Sequence, residues 1–156
     1  MRHLVARRRL ARQNHVYATD INPEALHKAE LGVYSIKRMQ AFTENHRLAG
    51  GKSSLSEHYT AAYGSAAFDR TLRKNVVFSD HSLATDSVFA EVQLVSCRNV
   101  LIYFDRSLQD RALGLMKDAL CRRGFLGLGS KETLMFSRQA SAFRDFVASE
   151  RWYQRC

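Results

Sequence analysis

Proline is almost missing from this sequence: Pro23 is the one example in 156 residues. Long proline-rich linkers are therefore not expected. Cysteine is scarce too. Cys97, Cys121 and Cys156 are far apart, odd in number and form no C-x-x-C pair. That pattern supports neither a disulfide framework nor a zinc site, so no metal is expected and a reducing, cytoplasmic setting is the simple reading. No apolar run approaches the roughly 20 residues of a membrane-spanning helix, so no membrane insertion is expected. The first twelve residues are basic without an apolar stretch, and are not read as a secretory signal. Internal repeats and low-complexity tracts are missing as well.

Two nucleotide-binding templates fail. Gly124, Gly127 and Gly129 do not make G-x-G-x-x-G; they follow a helix and lie within a strand, where packing explains them. Gly51-Lys52-Ser53 has the end of a P-loop, but His46 stands where the required glycine would be, and no buried strand precedes it.

What is present is a globular composition: 46% apolar and 25% charged residues, in a length that favours one domain. The net charge of +9 would suit an acidic partner, but five of the arginines (Arg2, Arg7, Arg8, Arg9 and Arg12) fall in the first twelve residues. Without them the balance is an ordinary +4, and no aromatic platform accompanies them, so nucleic acid is not an expected partner.

Residues 4–12 can be helical. Residues 15–19 read as a short buried strand ending at Asp20. Asn22 followed by Pro23 is a helix start, a capping side chain and then proline in the first turn, and this helix should stop near Gly32. Between 33 and 74 the clearest features are a loop at 50–54 and a small hairpin around Gly64-Ser65. Residues 76–78 and 93–97 read as strands, with Phe89 as packing for their connection. Asp105 caps a helix whose stripe is Leu108, Ala112, Leu115, Met116, Ala119 and Leu120, with Gly124 as its stop. Strands are expected at 125–128, 143–147 and 152–154. Alternation of strand and helix predicts a doubly wound α/β sheet.

In such sheets ligands bind beyond the carboxyl ends of the strands. Asp20 follows the first strand, where an acid can accept both ribose hydroxyls of a nucleotide, although it can equally assist capping of the next helix. Ser79-Asp80-His81-Ser82-Leu83 follow a second strand, and Arg98, Asn99 and Tyr103 a third. Arginine can grip a carboxylate with a two-pronged bond.

Four runs of this sequence closely resemble the chemotaxis-receptor glutamate methyltransferases, in order and in spacing. They are Ala18-Thr19-Asp20-Ile21-Asn22, Gly32-Val33-Tyr34, Cys97-Arg98-Asn99-Val100-Leu101-Ile102-Tyr103-Phe104-Asp105, and Gly127-Leu128-Gly129-Ser130-Lys131-Glu132. The resemblance covers about residues 15–155 and implies a Rossmann-like, three-layer αβα methyltransferase fold. It implies S-adenosylmethionine as cofactor, and the cytoplasmic domain of a chemotaxis receptor as the protein substrate, esterified on glutamate; a monomer is the expected state. Carried over by motif, Asp20 holds the ribose and Ser82 and Leu83 line the cofactor pocket. Arg98 and Asn99 lie at the cofactor, and Tyr103 lies beside the reacting sulfonium. Arg98 and Tyr103 are the candidate catalytic pair.

The sequence departs from the family pattern in three ways. The helical N-terminal domain, the first strand and the methionine-gripping glycine loop are not visible before Val16. Serine stands at 82 where the family more usually has asparagine. Residues 34–74 make only a reduced β subdomain. The expected organisation is therefore a basic helical remnant at 1–14 and a partial catalytic domain at 15–156. Alone, such a chain is expected to bind S-adenosylhomocysteine more weakly than about 10 μM. The rival reading is a non-catalytic protein-binding module that keeps the methyltransferase fold.

Overall fold

The structure, a computed structural model, describes residues 15–156. The helix expected at 4–12 and the segment 1–14 lie outside the described residues. The chain divides into two compact units, the first ending at His81 and the second beginning at Ser82.

In the first unit, strand β1 (Val16–Asp20) pairs in parallel with β5 (Val76–Asp80), and Asp20 stands opposite Asp80. Helix α1 (Pro23–Leu31) links β1 onward. Its start is set locally: the Asn22 side chain accepts the N–H groups of Glu24 and Ala25, and Pro23 occupies the first turn, where a missing N–H costs nothing. Its end is set by Gly32, whose φ of 63° places it in the left-handed region that closes a helix. The strand expected to be buried at 15–19 is mostly exposed, with Val16 at 53% and Tyr17 at 42%. The reason is coverage: α1 packs against this two-stranded sheet, and one helix screens only one face of it.

Between β1 and β5 lies a three-stranded antiparallel sheet in the order β2 (Val33–Ser35), β4 (Ser65–Phe68), β3 (Tyr59–Ala62). The hairpin around Gly64 is present. Tyr63 and Gly64 both take positive φ, 49° and 74°, the backbone that matches a two-residue turn to the twist of its strands. Tyr34 meets Phe42 and Phe68 edge-on at 6.0 and 5.8 Å, and this aromatic cluster seats helix α2 (Met39–Leu48) on the sheet. Sequence periodicity did not reveal α2. It has no capping side chain and follows directly from a 3-10 turn at Ile36–Arg38.

The second unit holds a four-stranded sheet in the order β6 (Val92–Cys97), β7 (Leu120–Leu128), β9 (Trp152–Arg155), β8 (Phe143–Val147). β6 and β7 are parallel because helix α3 (Arg106–Ala119) supplies the crossover. β8 and β9 are antiparallel because only a tight turn through Ala148–Arg151 joins them. The α/β class is as expected, but the described strands fall into three sheets of mixed direction.

The α3 cap at Asp105 is also as expected, its side chain accepting the Leu108 N–H. The helix ends at Ala119, not at Gly124. Leu120 is already extended and fully buried, and the left-handed residue is Arg123 (φ 66°), a kink inside β7. Gly124 is needed there for closeness: a Cβ would stand 2.9 Å from the Cys121 carbonyl oxygen. The buried face of α3 also includes Leu113, outside the expected stripe. With Leu101, Met116, Leu126, Leu128 and Tyr153 it forms the main core. Phe89, expected as packing, is exposed.

Candidate active site

The residue that organises the second unit's candidate site is Glu132. It is only 4% exposed, and its carboxylate accepts four backbone N–H groups: Val100 (2.8 Å) and Leu101 (2.7 Å) at Oε1, Asn99 (3.0 Å) and Gly129 (2.6 Å) at Oε2. These donors belong to the loops that leave the carboxyl ends of the parallel strands β6 and β7. One buried carboxylate thus ties both loops together, and four charge-assisted bonds offset the cost of burying it. The fit is close. An ideal Cβ on Gly129 would sit 2.7 Å from Glu132 Oε2 and 2.8 Å from Asn99 Oδ1, so any side chain at 129 would displace the clamp.

The clamp sets the backbone of the 98–103 loop. Asn99 is held at φ 59°, a left-handed conformation that asparagine tolerates better than most residues. The 3-10 turn Leu101–Tyr103 buries Leu101 in the core and leaves Tyr103 81% exposed. Gln109 on α3 reinforces the turn, donating from Nε2 to the carbonyls of Leu101 (2.9 Å) and Phe104 (3.0 Å). Arg98, Asn99 and Tyr103 therefore stand exposed on one short, internally braced loop, with Asn99 Oδ1 lying back beside Gly129. Cys97, immediately before it, points inward. Burial, and then the nearby Glu132 charge, push its thiol up to about 12, so it is inert at neutral pH.

The other expected site residues have different surroundings. Leu83 packs against the core of the second unit. The Ser82 hydroxyl accepts the N–H groups of Ala84 and Thr85, both at 3.3 Å, and the Ser82 N–H donates to Asp86 Oδ2 at 2.8 Å. Its polar groups serve a local turn. Asp20 is exposed at the carboxyl end of β1, where its Oδ1 accepts the Asn22 N–H at 2.9 Å. Ribose-holding and cap-assisting roles are thus compatible, since a carboxylate has a second oxygen. Asp80, its register partner, puts a second exposed carboxylate at the same strand end. Sequence reasoning named Glu132 only within a motif and gave it no role; its signal was a lone acid beside a glycine pair.

Within the first unit, exposed Asp20 offers the acceptor that a ribose hydroxyl requires; within the second, the braced loop of Arg98, Asn99 and Tyr103 offers donors of the kind an amino-acid moiety accepts, so each fits part of an S-adenosylmethionine-type group. Comparison with known proteins agrees. Residues 3–149 match the model of the CheR methyltransferase, SAM binding domain. The chain is 58% identical over 140 residues to the Cher3 protein of Pseudomonas putida, covering 90% of this chain and 51% of that protein. It is 31% identical over 125 residues to a chemotaxis protein methyltransferase of Listeria innocua, covering 77% and 43%. The chain thus spans about half the length of these relatives. In structure it is similar to the N-methyltransferase NodS of Bradyrhizobium japonicum, solved with S-adenosyl-L-homocysteine, at a TM-score of 0.51 and 14% identity over 94% of this chain and 70% of that one. That likeness concerns the fold alone. With the matched model covering most of its length, the chain belongs to the CheR methyltransferase family, in its SAM-binding domain.

Proposed function

We propose that this chain is the cofactor-binding part of a protein-glutamate O-methyltransferase acting on the cytoplasmic domains of chemotaxis receptors. The observation that carries the reading is the Glu132-braced loop, which presents Arg98 and Tyr103 to solvent at the carboxyl end of β6. When bound, S-adenosylmethionine supplies a methyl group on a positively charged sulfur. A glutamate carboxylate has an ordinary pKa of about 4.3 and is already a nucleophile at neutral pH, so no general base is needed. The protein's task is alignment, which in well-oriented systems lowers the barrier by about 7–11 kcal/mol. Arg98 would orient the incoming carboxylate with its planar fork. Tyr103 would place its hydroxyl beside the reacting centre. Asp20, through its second oxygen, would hold the ribose. In the second unit, Ser82, Leu83 and Asn99 would be cofactor contacts. The three-stranded sheet at 33–68 would serve the receptor.

The test is transfer of tritiated methyl to a receptor cytoplasmic domain. The expected label is released as methanol by mild base, as a methyl ester is. Arg98→Ala and Tyr103→Phe should each lower the rate at least tenfold without moving the melting temperature, because both side chains are exposed. A base-stable label would overturn the ester reading. Binding of S-adenosylhomocysteine without transfer would favour a module that keeps the fold and does no chemistry.

A further inference from the structure

A pocket of about 90 Å³ opens beside the candidate loop, between the first turns of α3 and the segment 131–137. A buried water needs only about 10–15 Å³, so there is room here for the head group of a side chain. The floor is Leu101 and Leu113, and Ile102 and Phe136 form apolar walls. Both walls are largely exposed, as is the neighbouring Met135. Arg106 and Lys131 line the pocket together with two acids, Asp110 and Glu132.

The charges are not equivalent. Glu132 has its carboxylate filled by four backbone N–H groups. Asp110 accepts from Ser137 Oγ at 2.8 Å and from the Arg138 N–H at 3.0 Å, with Arg138 Nε 3.7 Å away. Both acids are consumed by the frame. The cations keep their donors: among the described residues neither Arg106 nor Lys131 has a carboxylate within 4.0 Å. Arg106 lies 5.4 Å over the Phe136 ring, which holds the guanidinium without using its N–H groups. Ile102 lines the pocket and Tyr103 is the next residue of the same turn, so the pocket adjoins the candidate loop.

We propose that the Arg106–Lys131 pocket is a substrate-docking subsite that takes an acidic side chain flanking the methylated glutamate on the protein substrate, with Ile102 and Phe136 covering the apolar face of the same segment. The inference rests on the protein-glutamate reading for its occupant. Neither cation touches the reacting atoms in this scheme; they position the acceptor chain.

The probe is a fluorescein-labelled, 20-residue amphipathic peptide of alanine, leucine and glutamate, followed by anisotropy with the full chain. Glutamine and lysine versions serve as controls. The glutamate peptide should bind at least tenfold more tightly than the glutamine one. Arg106→Glu with Lys131→Glu should abolish that preference and bind the lysine peptide instead, while Phe136→Ala weakens all three. Lys28→Glu with Arg122→Glu makes the same charge change elsewhere, at exposed residues, and should stay within twofold of wild type. Equal loss in both reversal pairs means diffuse attraction only, and overturns the proposal; so does failure of the glutamate peptide to bind. The tritiated-methyl assay on the same variants separates the two readings. If the peptide result holds while the label on the receptor domain is base-stable, the pocket stands and the protein-glutamate reading falls.

Discussion

The two units of this chain are built from similar elements and differ in how completely they are covered. In the first, the buried apolar residues among the described ones are Met39 and Ala66, and helix α1 buries none. In the second, the core runs from Cys97 and Leu101 through the face of α3 to Leu126, Leu128 and Tyr153. The strands of both carry valine, leucine and aromatics. The difference is that the second sheet has four strands with α3 against it, while the parallel pair β1–β5 is two strands wide. An apolar strand is thus a necessary part of a core, and its neighbours decide whether it becomes one.

The sharpest way to break the comparison is to remove a buried carboxylate from one unit and an exposed one from the other. Glu132→Ala orphans four backbone donors at once, two of them fully buried. At about 1–3 kcal/mol for each buried orphan, urea denaturation should show a loss of roughly 3 kcal/mol or more. Asp20→Ala should cost about 1 kcal/mol or less, since the bond its carboxylate accepts from the Asn22 N–H is exposed. A Glu132 effect below that of Asp20 would mean the clamp is not what holds the loops.

A matched pair of strand truncations comes next. Leu126→Ala, from the fully buried centre of β7, should cost about 2–5 kcal/mol. Val77→Ala, from the exposed β5, should stay within about 0.5 kcal/mol. Comparable losses would show that Val77 is covered in solution.

Thiol chemistry gives a smaller contrast. With its thiol pushed up to about 12, Cys97 is roughly one part in 10⁴ thiolate at pH 8. Iodoacetamide followed by mass spectrometry should modify exposed Cys156 first and leave Cys97 intact until the unit unfolds. Early labelling of Cys97 would show that the core around it opens.

The smallest effect concerns Asp110. The Ser137 hydroxyl bond and the Arg138 N–H hold its pKa below the ordinary 3.8. Its contribution is therefore present above about pH 3.8 and lost as pH falls through the lower folded value. The urea midpoint of Asp110→Asn should fall less between pH 5 and pH 3 than that of wild type. Identical slopes would remove Asp110 from the acid sensitivity.

Features set within a few residues were legible in the sequence. The Asn22 and Asp105 caps, the Gly32 stop and the turn at Tyr63-Gly64 each depend on side chains or backbone freedom close at hand. What escaped depends on distance along the chain. Gly124 has the look of a helix stop, yet Leu120 had already been drawn into β7 by its burial beside β6. Helix α2 is seated by the contact of its Phe42 with Tyr34 of β2 and not by its own pattern. Arg98, Asn99 and Tyr103 are legible as candidates because they share one contiguous motif; the acid that braces their loop, and the cations beside it, come from other segments.

The clamp also has a consequence in time. The Leu101 N–H and the Glu132 carboxylate that receives it are 31 residues apart. At a synthesis rate of about 5–20 residues per second, the loop exists for roughly 2–6 s before its anchor has been made. Throughout that interval Arg98 and Tyr103 have left the ribosome's active centre without the carboxylate that ties their loop to the end of β7. A nascent chain therefore acquires its candidate active-site loop only after α3 and β7 have been translated, and a pause between codons 103 and 132 would lengthen the life of an unbraced loop.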